Sequence, residues 1–171
     1  VAVFEKISVA VVEKIIQDFS KDPKKFAEFV RGITKELLQE GVLLIRETLE
    51  EMDRSICESG FRKEEWNIET HSKKSLLTSL GNVTFHKTLF ENKRTGEMCY
   101  LLDRVLGLEK KERISEDAEA AMLEEAVQTS YRRGGEQASL LDQTSKQTVK
   151  RKLHRLQFPQ QWTEPETKKE V

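Results

Sequence analysis

Between Ser145 and Gln157 the chain carries cations or amides at Lys146, Gln147, Lys150, Arg151, His154 and Arg155, while Val149, Leu153 and Leu156 recur between them. On a helix the i, i+4, i+7 spacing gathers the three apolar side chains on one face and turns the polar ones outward. Ser145 suits the N-cap of such a helix, predicted from Lys146 to about Gln157. A glutamine can read adenine through two hydrogen bonds, arginine or lysine can read guanine, and further cations neutralise phosphates. A shorter helix predicted from Gly135 to Leu141, with a turn at Asp142-Gln143-Thr144, completes a helix-turn-helix pattern whose last helix would enter a DNA major groove. Arg132 and Arg133, at the start of the shorter helix, would meet the DNA backbone. The predicted DNA-binding residues are therefore Arg132, Arg133, Lys146, Gln147, Lys150, Arg151, His154 and Arg155. A merely solvated basic helix would look similar, and the order of cap and inward valine in Ser145-x-x-Thr148-Val149 is what favours DNA.

Other chemistry is poorly supported. His71, His86 and His154 lack partners at metal-ligand spacing, and there is no phosphate-binding glycine loop, HExxH or CxxC. Gly134-Gly135 reads as a flexible turn at a helix start. Glu47, Glu50, Glu51 and Asp53, like Glu116, Asp117 and Glu119, read as solvated helix faces. Cys57 and Cys99 stand far apart and are expected as reduced thiols. Trp66 and Trp162 sit in polar surroundings with no aromatic companion for base stacking. The chain by itself is expected to be no enzyme, with no catalytic residue, no metal ligand and no cofactor.

The elements that must position the basic helix can be read from periodicity. Phe4, Ile7, Val11, Ile15 and Phe19 predict an amphipathic helix over about 3–19. Asp22 and Pro23 fit the cap and first position of the next helix. Its apolar stripe runs through Phe26, Val30, Ile33, Leu37, Leu44, Leu49, Met52 and Ile56. A hairpin packing on itself is the simpler account of that stripe, and dimerisation is its rival. Residues 60–75 are polar and read as a loop or frayed extension. Turn-punctuated runs at 76–80, 83–90 and 97–102 predict three short antiparallel strands, which need helices to lean on. Ser115 then caps a helix running to about Ser130. The fold class is mainly α with a small antiparallel β-meander and a C-terminal helix-turn-helix. It divides into a helical hairpin (1–59), a loop and meander (60–108), a DNA-binding region (109–158) and a linker (159–171).

Composition agrees with that division. Apolar residues make up 37% and charged residues 35% of the 171, which suits long helices and small bundles better than a large enzyme core. The net charge is −1, yet residues 1–60 hold 9 Lys/Arg against 12 Asp/Glu, and residues 131–157 hold 7 against 2. Positive charge is thus concentrated where the DNA-binding helix is expected. No stretch approaches the roughly 20 apolar residues of a membrane span, and a cytoplasmic location is expected. The expected partner is double-stranded DNA, with, on the rival reading of the stripe, a second copy joined through the N-terminal helices.

Several stretches together resemble the ISLre-type insertion-sequence transposases, long filed as an uncharacterised protein family. They are Thr78-Ser79-Leu80-Gly81-Asn82-Val83, Phe90, Thr95-Gly96-Glu97, Tyr100-Leu101-Leu102-Asp103, Leu106-Gly107-Leu108, Arg113-Ile114-Ser115, Ser130-Tyr131, and Ser145 with Gln147, Thr148 and Val149. The resemblance implies the DNA-binding N-terminal part of a bacterial transposase, recognising element ends for transposition. It also implies that family members continue into a ribonuclease-H-type domain, whose acidic residues hold two divalent metals for strand transfer. That domain is expected to lie beyond Val171, so no catalytic carboxylate maps onto these residues. The family usually places alanines where this chain has Gly134-Gly135, and the turn at 142–144 lacks its usual glycine. A decayed, truncated remnant would carry such departures. Alternatives from the residues alone are a stand-alone helix-turn-helix regulator and a helical dimerisation module without DNA binding.

Overall fold

The computed structural model describes residues 9–156. The expected helix start near Val3, the linker at 159–171 and Trp162 lie outside those residues. Within them the chain is mainly helical, with one three-stranded antiparallel sheet in the order β1-β2-β3.

Helix α1 (Val9–Lys21) leads into a short 3₁₀ turn at Pro23–Lys25. The Asp22 carboxylate caps this turn by accepting from the Lys24 N–H at 3.3 Å, and Pro23, which has no N–H to leave bare, takes the first position. The chain then reverses into α2 (Phe26–Glu58), 33 residues long. Phe19 stacks on Phe29 with centroids 4.6 Å apart, and Ile15 packs against the backbone at Gly32. A hairpin thus forms along the first half of α2, but Phe26, Val30, Leu37 and Leu44 of the expected stripe stay exposed.

Residues 60–75 are not a loop. Ser59 caps a short helix α3 (Gly60–Glu65), and Trp66–Leu77 is the long strand β1. Strand β2 (Asn82–Asn92) returns antiparallel, from Leu77↔Asn82 to Trp66↔Asn92, with a bulge between Ile68 and Thr70. Asn67–His71 are all exposed, so this half of β1 is held by main-chain pairing and shows no apolar alternation for a sequence reading to detect. Trp66, expected in polar surroundings, is buried with Phe90 and Leu101. The third strand is also shorter than expected. Strand β3 (Met98–Cys99) pairs only with Phe90 and Glu91, after which Leu101–Val105 forms helix α4. Leu101 and Leu102 point into the core from that helix rather than from a strand.

Most of β2 therefore has one strand neighbour, and α2 closes its other edge. Glu50 accepts the His86 N–H at 2.9 Å and also meets the ring Nδ1 at 3.0 Å. Asp53 accepts the Thr88 N–H at 3.1 Å through one oxygen and the Thr88 hydroxyl at 2.6 Å through the other. These carboxylates were expected on a solvated face, and Asp53 is instead buried. Bare edge N–H groups cost free energy when desolvated, so carboxylates at the right helical spacing replace a missing strand. Beneath them Leu49, Leu76, Val83, Phe85 and Leu102 form the main core, joined by Val42, Ile45, Met52 and Ile56.

A second buried polar set ties α4 to the hairpin. Asp103 pairs with Lys87 and lies 3.3 Å from the Lys74 ammonium, and all three side chains are buried. The Lys87 ammonium also sits 3.7 Å from the centre of the Tyr100 ring, a cation–π contact. Nothing in the sequence separates these two lysines from the solvated ones around them. They take inward positions only because β1 and β2 pair in this register.

The Asp53→Ala chain should lose about 2–3 kcal/mol of unfolding free energy, because a charged acceptor is removed from two buried donors. Urea unfolding followed by circular dichroism measures this. An unchanged midpoint would mean that the Thr88 edge finds another acceptor.

Candidate nucleic-acid interface

The basic segment belongs to three short helices, α5 (Glu116–Gln128), α6 (Tyr131–Gln137) and α7 (Lys146–Leu153). Their shared core is Ala118, Met122, Ala126, Ala138 and Val149, closed by Leu77 and Ile114 from the sheet side. Small residues dominate it, so the helices approach closely. A Cβ on Gly134 would lie 2.5 Å from the Met122 carbonyl oxygen and 2.7 Å from the Ala126 Cβ. One on Gly135 would lie 2.4 Å from the Thr144 carbonyl oxygen. The flexible-turn reading of this pair is thus corrected. Both glycines are buried inside α6, and they are there because their neighbours leave no space for a side chain.

Helix α7 starts where expected. The Ser145 hydroxyl accepts the Thr148 N–H at 3.2 Å, and Val149 is fully buried. Lys146, Gln147, Lys150 and Arg151 all face solvent from this one short helix. Lys152 turns the other way and pairs with Glu119 of α5, which fixes the roll of α7 about its axis. The helix ends at Leu153, earlier than expected. His154 is its C-cap residue and Arg155 follows in a turn, both exposed, while Leu156 is 42% exposed rather than packed inward.

The shorter helix also sits earlier than predicted, at Tyr131–Gln137 instead of Gly135–Leu141. Ser130 caps it through the Arg133 N–H at 3.3 Å. Arg132 and Arg133 therefore lie within its first turn, exposed, with Arg132 held 3.1 Å from Glu136. The Tyr131 ring meets the His154 ring edge-on at 6.4 Å, so the two arginines begin beside the end of α7. All eight predicted residues are exposed and fall on α6, on α7 or just after it.

The connection between α6 and α7 runs through eight residues, 138–145, longer than the three- or four-residue turn of a helix-turn-helix. It is anchored to the sheet. The Leu140 and Leu141 N–H groups donate to the Ser79 and Leu80 carbonyls at 2.8 and 3.1 Å, and Asp142 accepts the Asn82 N–H at 2.7 Å. Asp117 of α5 accepts the Ser79 N–H at 3.0 Å and bonds the Ser115 hydroxyl. Burial works to raise the Asp117 pKa, but the bonds from Ser115 and Ser79 and the Ala118 N–H outweigh it and bring it from 3.8 down to about 2. Glu119 is thus a half-buried partner of Lys152, while Asp117, exposed as expected, also ties α5 to the turn of the hairpin.

The three histidines stay apart. His71 meets the Thr88 hydroxyl at 3.0 Å, His86 meets Glu50, and His154 meets Tyr131. Among the described residues no group of three or more His, Cys, Asp or Glu could hold a metal ion, and Cys57 and Cys99 are both free thiols. No helix among the described residues is long and apolar enough to cross a membrane.

Fold and site together define a small, mainly α protein in which a cationic helix is seated on two others and locked to the turn of a β-hairpin. Residues 20–171 match an uncharacterised protein family, UPF0236. The chain belongs to that family. Curated relatives from Caldanaerobacter subterraneus subsp. tengcongensis include UPF0236 protein TTE2489, 33% identical over 83% of this chain and 30% of its own length. UPF0236 protein TTE0402 is 33% identical over 94% of this chain and 32% of its own length. A third, whose name joins TTE0033 to ten further locus designations, is 33% identical over 92% of this chain and 33% of its own length. The chain thus spans about a third of the length of the curated relatives it matches. No solved structure matches it significantly.

Gly134→Ala should destabilise the fold by about 1–3 kcal/mol through overpacking, although alanine favours a free helix by about 1 kcal/mol. Gly60→Ala, with nothing within 4 Å of the added methyl, should be neutral or stabilising in the same urea titration. Asp117 makes a separate prediction. Its folded pKa lies below its unfolded value, so its stabilisation is present above about pH 4 and fades as pH falls towards about 2. Melting temperatures across that range should fall less steeply for Asp117→Asn than for the parent. Matching slopes would remove Asp117 as an acid-sensitive tie.

Proposed function

We propose that this chain is the DNA-binding, end-recognising part of a bacterial insertion-sequence transposase of the ISLre type, with α6 and α7 acting as a helix-turn-helix variant. The observation that carries this is the division of α7. Val149 is wholly buried and Lys152 is tied down by Glu119, while Lys146, Gln147, Lys150 and Arg151 remain exposed on a rigidly seated helix. A seated helix with cations and an amide near its N-terminus suits base-edge reading in a major groove. In this reading Arg132 and Arg133, with His154 and Arg155, face the phosphates. The long connection between the helices does not weaken it, because hydrogen bonds to the hairpin turn hold that connection in place.

The relatives add support of another kind. One name carrying eleven locus designations from a single organism is what an element that copies itself would leave. Strand transfer, and the divalent metals it would need, belong in this proposal to the two-thirds of the relatives' length that this chain does not span. The chain itself recognises rather than cuts.

Arg151→Ala should bind duplexes of the element's terminal repeats about 10-fold to 100-fold more weakly, with blurred sequence preference. Arg132→Ala should weaken binding to all duplexes alike and reduce the salt dependence. Fluorescence anisotropy against repeat and scrambled duplexes at two salt concentrations separates the two effects. Equal affinity of the Arg151 variant and the parent for terminal repeats would exclude α7 as the reading helix.

A further inference from the structure

Cys57, near the end of α2, and Cys99, in β3, are far apart along the chain, yet the fold brings both to one corner of the sheet. Direct cross-strand partners point to the same face, and so do residues two apart on a strand. Cys99 is the partner of Phe90, so its side chain lies on the face that Phe90 and Thr88 share. Cys57 reaches that face from α2, its thiol donating to the Thr88 hydroxyl at 3.4 Å. The levels along β2 agree. Glu50 meets His86 and Asp53 meets Thr88, so α2 and β2 run in the same direction. One further helical turn, about 5–6 Å, matches the next two strand residues, about 6–7 Å, and sets Cys57 beside Phe90. Both cysteines are half-buried free thiols packed against the same cluster of Trp66, Phe90 and Leu101.

We propose that Cys57 and Cys99 are a redox-active pair, which closes an intramolecular disulfide between α2 and β3 when it meets a low-molecular-weight disulfide such as oxidised glutathione. Diagonal neighbours on two paired strands stand about 7–8 Å apart, and Cys57 already touches the Thr88 end of the diagonal from Cys99. Rotamer changes at the two cysteines, with a small shift of β3, bring the sulfurs together. That strand is held only through Phe90 and Glu91, so it yields more readily than β1 or β2. One protein thiolate attacks a glutathione sulfur and expels one reduced glutathione, leaving a mixed disulfide. The second protein thiolate attacks the protein sulfur of that bond and expels the other. Two protein thiols thus become one disulfide, one glutathione disulfide becomes two thiols, and the protons lost by the protein go to the two leaving groups. Losing the Cys57 S–H leaves the Thr88 hydroxyl with Asp53 and the His71 ring as partners, at 2.6 and 3.0 Å. The bond closes a loop of about 40 residues around α3, β1 and β2, long enough to restrict the unfolded chain strongly. This inference is independent of the DNA reading.

Titration of the 171-residue chain in glutathione redox buffers at about pH 8, where thiolates form, tests it. Oxidation should give a single chain without free thiols and, on digestion without reduction, a peptide joining Cys57 to Cys99. The equilibrium constant against glutathione should be about 100-fold larger for the folded chain than for the chain in denaturing urea, and the oxidised chain should melt about 5–10 °C higher. Cys57→Ser and Cys99→Ser should each show no such rise on the same treatment. The linked peptide and the two constants are read on the parent alone, whatever the serine substitutions do to folding. Separate glutathione adducts on the two cysteines overturn the inference, as does a disulfide that joins two chains. So does a ratio of the two constants below about 10, or a serine variant whose melt rises like that of the parent.

Discussion

Strand β2 is eleven residues long and has a second strand neighbour for only two of them. The N–H groups of His86 and Thr88 on that side would otherwise be unpaired beside an apolar core, where each would cost as much as a lost hydrogen bond. Glu50 and Asp53 meet them three residues apart on α2, a spacing that matches one helical turn to alternate residues of a strand. Everything else in the fold follows from this pairing. It sets the roll of α2, which sends Leu49, Met52 and Ile56 into the core and leaves the Phe26-to-Leu44 line on the surface.

The other end of the hairpin performs a similar service for the C-terminal helices. Its turn offers the Ser79 and Leu80 carbonyls to Leu140 and Leu141 and the Ser79 N–H to Asp117, and the Asn82 N–H that follows donates to Asp142. An otherwise irregular eight-residue connection is thereby tied to the hairpin. The three helices contribute little apolar area of their own and depend on Leu77 and Ile114 to close their core. Fixed helix geometry is also what base reading would need, since a helix free to roll cannot present the same side chains to a groove each time.

Much of the plan was legible in the sequence. The hairpin of α1 and α2, the Asp22-Pro23 turn, the Ser145 cap and the outward set on α7 all follow from short-range rules. Caps act over three residues and helical faces repeat every three to four, so neighbours along the chain suffice to define them. Strand β1 was not legible, because its exposed half is stabilised by the main chain of β2 and leaves no apolar alternation. The placement of α6 was missed for a related reason. Gly134-Gly135 looks like a helix breaker until Met122, Ala126 and Thr144 are seen to occupy the space where its side chains would be.

Local pattern therefore determined the helices α2, α5 and α7, the cap at Ser145, and which cations on α7 turn to water. Tertiary structure alone decided which carboxylates are structural, which lysines are buried and which glycines are obligatory. For Glu50, Asp53, Asp117, Glu119 and Asp142 the partner lies 33 to 60 residues away along the chain. A carboxylate in the sequence looks the same whether water or a strand edge lies opposite. Only the folded chain supplies the partner, and the partner settles the role.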